Sequence, residues 1–96
     1  MTLYIHYSNF INIMFPLYTF IIPLKGRPYE KVPGIISKIS YINGKTYIHV
    51  WNLFGHYEYY SAEDIQSWDY PSPKLNEMKE ELQRLSLQQN YIKIDS

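Results

Sequence analysis

The sequence has no cysteine, which excludes a disulfide framework, a thiolate-held zinc or iron–sulfur centre and a thiol nucleophile. Its four glycines stand singly, one to a turn, so no glycine-rich phosphate cradle is present. No GxSxG, GxGxxG, P-loop or HExxH pattern occurs. Net charge is zero, nine Lys and Arg against nine Asp and Glu, which excludes a polycation that holds nucleic acid by charge alone. Long apolar runs are also lacking. The most apolar stretch, Phe10 to Leu24, is fifteen residues and is interrupted by Pro16 and Pro23. A membrane-spanning helix needs roughly 18–20. With no basic segment before it and no small-residue cleavage site after it, a signal peptide fits poorly too. The expectation is a cytoplasmic chain without membrane contact, in which this stretch is extended and core-forming.

What is present points to β structure. Eleven Tyr and thirteen Ile stand against one Ala and two Val. Aromatic and β-branched side chains suit a pleated, half-buried surface. Ninety-six residues make a single domain, 1–96, and a hydrophobic fraction of 46% with 19% charged is that of a globular chain. The bias toward Ile, Tyr, Asn and Lys also fits AT-rich coding, as in many phages and archaeal viruses. Charge is segregated. Residues 1–24 carry none; 25–57 carry Lys25, Arg27, Lys31, Lys38 and Lys45 against Glu30, a net of +4; 58–96 carry a net of −4. Such a dipolar chain can steer a partner or pair head to tail.

The strongest local signal is Asn43-Gly44 between two alternating segments, 35–42 and 45–52. Asn-Gly supplies the positive φ angles of a type I′ turn. A two-residue loop then pairs Ile42 with Lys45, Ser40 with Tyr47, Lys38 with His49 and Ile36 with Trp51. One face carries Ile35, Ser37, Ile39, Tyr41, Thr46, Ile48, Val50 and Asn52 and reads as the core face. The other carries Ile36, Lys38, Ser40, Ile42, Lys45, Tyr47, His49 and Trp51 and reads as partly wet. Gly34 is expected to permit the bend into the first strand.

Elsewhere the pattern predicts strands at Leu3–Tyr7, Leu17–Leu24, His56–Ser61 and Gln66–Tyr70. Tyr57 and Tyr59 share one face of the third of these, Glu58 and Tyr60 the other. Ser61-Ala62-Glu63-Asp64 reads as a capping-box-like single turn closing at Ile65. Ser72 as N-cap and Pro73 at the first helical position predict a helix from Pro73 to about Gln89. Leu75, Met78, Leu82 and Leu85 form its apolar stripe, a candidate helix interface, which either packs on its own sheet or pairs two chains as a homodimer. Tyr91-Ile92-Lys93-Ile94 is a candidate edge strand. Met14 is a second candidate start. The organisation expected is therefore 1–16 as extension or edge strand, 17–70 as a small β-barrel, and 71–96 as helix and tail.

Taken together, residues 31–68 resemble an SH3-like small barrel of the KOW/Tudor or photosystem PsaE type. The resemblance lies in Pro33-Gly34-Ile35-Ile36 opening a strand, the Asn43-Gly44 hairpin, Tyr47-Ile48-His49-Val50-Trp51, Tyr57–Tyr60 and the turn Ser61–Ile65 before a last strand. It implies an α+β, mainly β fold that binds peptides, nucleic acids or larger complexes through loop and strand aromatics. Here these are Tyr47, Trp51, Phe54, Tyr57 and Tyr59, with Lys38 and Lys45 as charged accompaniment. A fold-level likeness transfers no activity.

His49 completes the candidate binding residues. With His56 and Glu58 it would suffice for zinc or iron, but nothing in the spacing makes them converge, and neither metal nor cofactor is expected. Glu63-Asp64 is most simply helix-start charge, and no catalytic residue is assigned. The reading is a non-catalytic binding module, first for a protein partner, as in a virus- or mobile-element-encoded inhibitor of a host complex. Nucleic acid comes second, through aromatics beside lysines, and a small enzyme acting on nucleic acid or nucleotides third.

Overall fold

Asn43 and Gly44 take φ angles of 51° and 78°, and the chain folds back on itself there. The computed structural model describes residues 15–95, with side chains as far as Leu87. The strand expected at Leu3–Tyr7 and the start at Met14 lie outside the described residues. In order, the elements are β1 (Phe20–Pro23), β2 (Gly34–Ile42), β3 (Lys45–Asn52), β4 (Tyr57–Tyr60), a 3₁₀ turn (Ala62–Asp64), β5 (Ile65–Ser67) and α1 (Pro73–Asp95). All pairs are antiparallel, in the order β4-β3-β2-β1-β5. The fold is α+β and mainly β, a five-stranded sheet with one C-terminal helix.

From the turn inward the hairpin keeps the register that a two-residue loop dictates: Ile42 opposite Lys45, Ser40 opposite Tyr47, Lys38 opposite His49. Beyond Lys38 it departs. Ile36 lies opposite Val50, not Trp51, because the register shifts between Ile36 and Lys38 and leaves Ser37 as an extra residue on β2. Such a bulge moves every later side chain of its strand to the opposite face. Ile36 therefore joins Ile48 and Val50 in the main core, with Ile21, Tyr60 and Ile65, while Ile35 turns to the other face. There α1 covers it with Leu75 and Met78, aided by Phe20, Trp51 and Trp68. Both isoleucines are fully buried, each contributing about 1.5–3 kcal/mol, so this end of β2 is covered on both faces.

Gly34 serves close approach rather than a bend. A Cβ there would stand 2.6 Å from Val50 Cγ1 and 2.8 Å from the Trp51 carbonyl oxygen. The loop between β1 and β2 is pinned at several points. Tyr60 donates its hydroxyl to the Pro28 carbonyl at 2.6 Å, Arg27 meets Asp64 at 3.0 Å, and the Leu53 N–H donates to Pro33. Glu63 and Asp64 lie in the first turn as expected, and Asp64 is in addition an ion-pair partner. The 3₁₀ turn is present, but no Ser61 side-chain bond caps it; the Asp64 N–H donates to the Ser61 carbonyl instead.

Three expectations are corrected. The first described strand is Phe20–Pro23, shorter than Leu17–Leu24, because Tyr18 sits at φ 68° and turns the chain before it. The last strand is Ile65–Ser67, not Gln66–Tyr70; its register with β1 ends at Ile21, followed by one bond from the Trp68 N–H to the Phe20 carbonyl. The tail is not an edge strand: α1 continues through Tyr91–Ile94 to Asp95. No Gly or Pro interrupts it after Pro73, and helix continuation satisfies each backbone group locally. Its start is as read, with the Leu75 N–H donating to Ser72 Oγ at 3.2 Å. Among the described residues no helix is long and apolar enough to cross a membrane.

Candidate binding face

Side chains directly opposite each other across an antiparallel pair share a face. The pairs His49–Tyr59 and Trp51–Tyr57 between β3 and β4, and Lys38–His49 and Ser40–Tyr47 between β2 and β3, therefore gather one side of the sheet. The rings fall into two neighbouring groups along it. Trp51 stacks on Tyr57 at 5.8 Å and 9°; His49 meets Tyr59 edge-on at 4.5 Å; Tyr47 meets Tyr59 edge-on at 6.5 Å. Tyr57 and Tyr59 are 60% and 62% exposed, whereas Tyr47, His49 and Trp51 are half-buried. Lys45 belongs to the same side at the hairpin tip, exposed and opposite Ile42.

His49 is the polar centre of the row. Its Nε2 and Ser40 Oγ share a hydrogen bond of 2.9 Å. Burial first, and the neighbouring Lys38 ammonium second, hold its pKa below the ordinary 6.5. At neutral pH the imidazole is thus a hydrogen-bonding group rather than a charge.

The helix does not cover the whole face. Leu75 and Met78 are buried on the sheet, Leu82 is half-buried beside them, and Leu85 is 41% exposed. Between the outer part of α1 and the row of rings lies a cleft of about 610 Å³. Leu82 and Leu85 form one wall, Tyr57 and His49 part of the other, and Leu17, Tyr18 and Ile39 extend the apolar lining. Lys38 reaches into it.

The structure divides the sequence-derived candidates. Lys38, Lys45, Tyr47, His49, Trp51, Tyr57 and Tyr59 come together. Phe54 does not: it lies in the loop after β3, 67% exposed, with Tyr29 edge-on at 6.4 Å, and Tyr29 in turn stacks on His56 at 5.7 Å. His56 and His49 thus belong to separate ring clusters, and Glu58 points to the face opposite His49. Among the described residues no group of three or more His, Asp or Glu could hold a metal ion. Leu17, Tyr18 and Ser40 were not legible as site residues. The first two reach the cleft through the positive φ of Tyr18, which no turn residue announces.

No family model matches this chain, and neither a curated protein nor a solved structure matches it.

Proposed function

We propose that this chain is a non-catalytic protein-binding module of the SH3-like barrel type, working through the ring-bearing side of β2, β3 and β4. The observation that carries the reading is the set Tyr47, His49, Trp51, Tyr57 and Tyr59 on one side of the sheet, with Tyr57 and Tyr59 exposed, beside a cleft lined by both apolar and polar side chains. Exposed Tyr and Trp on a rigid sheet are the side chains that most often supply binding energy at interfaces, about 2 kcal/mol or more at central positions. The strand order β4-β3-β2-β1-β5, with a 3₁₀ turn leading into β5, supports the SH3-like assignment.

The test compares the wild-type chain with a Tyr57→Ala/Tyr59→Ala chain as bait in lysate of the source cells, read by quantitative mass spectrometry. Both rings are largely exposed, so the double variant keeps its fold. The reading expects a small set of proteins retained by the wild type and lost, tenfold or more, from the variant. Equal retention by both would refute it.

A second reading is binding of single-stranded nucleic acid, favoured by Lys38 and Lys45 on the same side as Tyr47 and Tyr59. Bases stack on such rings while lysines meet phosphates. An oligonucleotide shift that weakens steeply with salt and with Lys38→Ala/Lys45→Ala would select it over the first.

A further inference from the structure

The cleft between α1 and the row of rings is asymmetric in a way that describes its occupant. Leu17, Tyr18, Ile39, Tyr57, Leu82 and Leu85 supply its apolar walls, Ser37, His49 and Ser86 its neutral polar groups, and the Lys38 ammonium is the one formal charge set among them. The ion pairs among the described residues are Arg27–Asp64 and Arg84–Glu81, and Lys38 has no carboxylate partner there. A volume of about 610 Å³ accommodates a few side chains, not a folded surface. An occupant that matched only the walls would cover the ammonium and leave it unpaired, an expensive arrangement. One carrying a carboxylate beside its apolar groups satisfies walls and charge together.

We propose that the cleft takes a short linear segment of a partner protein in which one or two large apolar side chains adjoin an Asp or Glu. The apolar groups sit between α1 and Tyr57, and the carboxylate meets Lys38. This rests on the protein-binding reading and narrows it to a chemistry. A second copy of the chain fits less well, because α1 buries Leu75, Met78 and most of Leu82 on its own sheet. The described apolar side chains left on the helix are Leu85 and Leu87, too few for a stable helix pair.

The experiment is selection from a display library of random 12-residue peptides on three full-length chains: wild type, Lys38→Glu and Leu85→Asp. Both positions are exposed, and circular dichroism melts verify that each variant folds. The wild type is expected to enrich peptides with Asp or Glu within two positions of Leu, Ile, Phe or Trp. A synthetic copy of the leading peptide should lose tenfold or more in affinity on Lys38→Glu and on Leu85→Asp, and selection on Lys38→Glu should shift toward Lys and Arg. Enriched peptides without an acid, or an acidic set unchanged on Lys38→Glu, would overturn the inference and leave the binding-module reading standing. No enrichment above Leu85→Asp would overturn it as well, the broader reading then being decided by the Tyr57 and Tyr59 comparison. A dimer that Leu85→Asp splits, with no peptide selected, would assign the cleft to a second copy and overturn it too.

Discussion

The hydroxyl of Tyr60 ties the long β1–β2 loop to β4, and its removal is the sharpest probe of how that loop is held. Tyr60→Phe deletes one oxygen from a side chain that is 4% exposed and leaves the ring in place. The lost bond to Pro28 is short, 2.6 Å, and a net hydrogen bond contributes about 1 kcal/mol. Pro28 lies at the surface, so water can reach part of the freed carbonyl, and the expected loss is about 0.5–1.5 kcal/mol. Titration gives a second signature. Burial foremost, then the charges of Glu58 and Tyr29, push the Tyr60 phenol from 10.0 up to about 12. The folded chain therefore holds this proton more tightly than the unfolded chain. The corresponding stability is complete below pH 10 and is lost as pH rises from about 10 toward 12. Two pH units set a ceiling of about 2.7 kcal/mol, which screening near the surface reduces to about 1–2 kcal/mol. Urea unfolding followed by tryptophan fluorescence at pH 8 and between pH 9.5 and 11.5 measures both. Tyr60→Phe should be less stable at pH 8 and should fall less steeply above pH 10, the other ten tyrosines contributing equally to both chains. Equal stability at pH 8 with parallel alkaline decline would refute the tether.

Two glycines should behave differently for different reasons. Gly34→Ala forces a methyl against the β3 backbone and should cost about 1–3 kcal/mol, whereas a Cβ at position 44 meets no neighbour and Gly44→Val should cost about 1–2 kcal/mol from its φ of +78°. Chemical denaturation checks both, and adding Asn at position 44 discriminates them, since Asn tolerates that backbone and should recover part of the loss. Asn52 is buried with its Oδ1 accepting from the Phe54 and His56 N–H groups at 2.9 and 3.1 Å, so Asn52→Ala should lose about 2 kcal/mol and speed amide exchange at both. His49 protonates less readily in the folded chain than at its ordinary 6.5, so the unfolded chain takes up the proton first. Stability should decline as pH falls from about 7 through 6.5 and level off below the folded pKa, and His49→Gln should flatten that slope in melts from pH 5 to 8.

The parts of the fold legible in the sequence are those decided by a few neighbouring residues. Asn43-Gly44 demands one turn geometry, and the pairs out to Lys38–His49 follow from it by counting. Ser72-Pro73 announces the helix start, and alternation at Tyr57–Tyr60 separates the exposed rings from buried Tyr60. Illegible were features set by distant contacts. Ser37 carries no mark of a bulge; the usable hint was the adjacent pair Ile35-Ile36, since two consecutive fully apolar residues suit a strand covered on both sides. The same pair conceals where the helix sits. The ring-bearing face was readable because a period of two sorts its members, whereas the cleft needs Leu17, Tyr18, Leu82 and Leu85, brought together only by tertiary packing. Phe54 looked equivalent to the strand aromatics by type and is separated from them by lying in a loop.

The bulged Ser37, whose hydroxyl donates to the His49 carbonyl, divides β2 into two lengths with opposite orientation. Inboard of it, Ile35 seats the helix while Ile36 fills the main core; outboard, Lys38 and Ser40 face other molecules while Ile39 still packs on that core. Ligand preference can therefore drift by point changes near the hairpin tip while the anchorage of α1 stays untouched. Shortening the strand by that one residue would join the two lengths again, and any change in recognition would then be a change in stability.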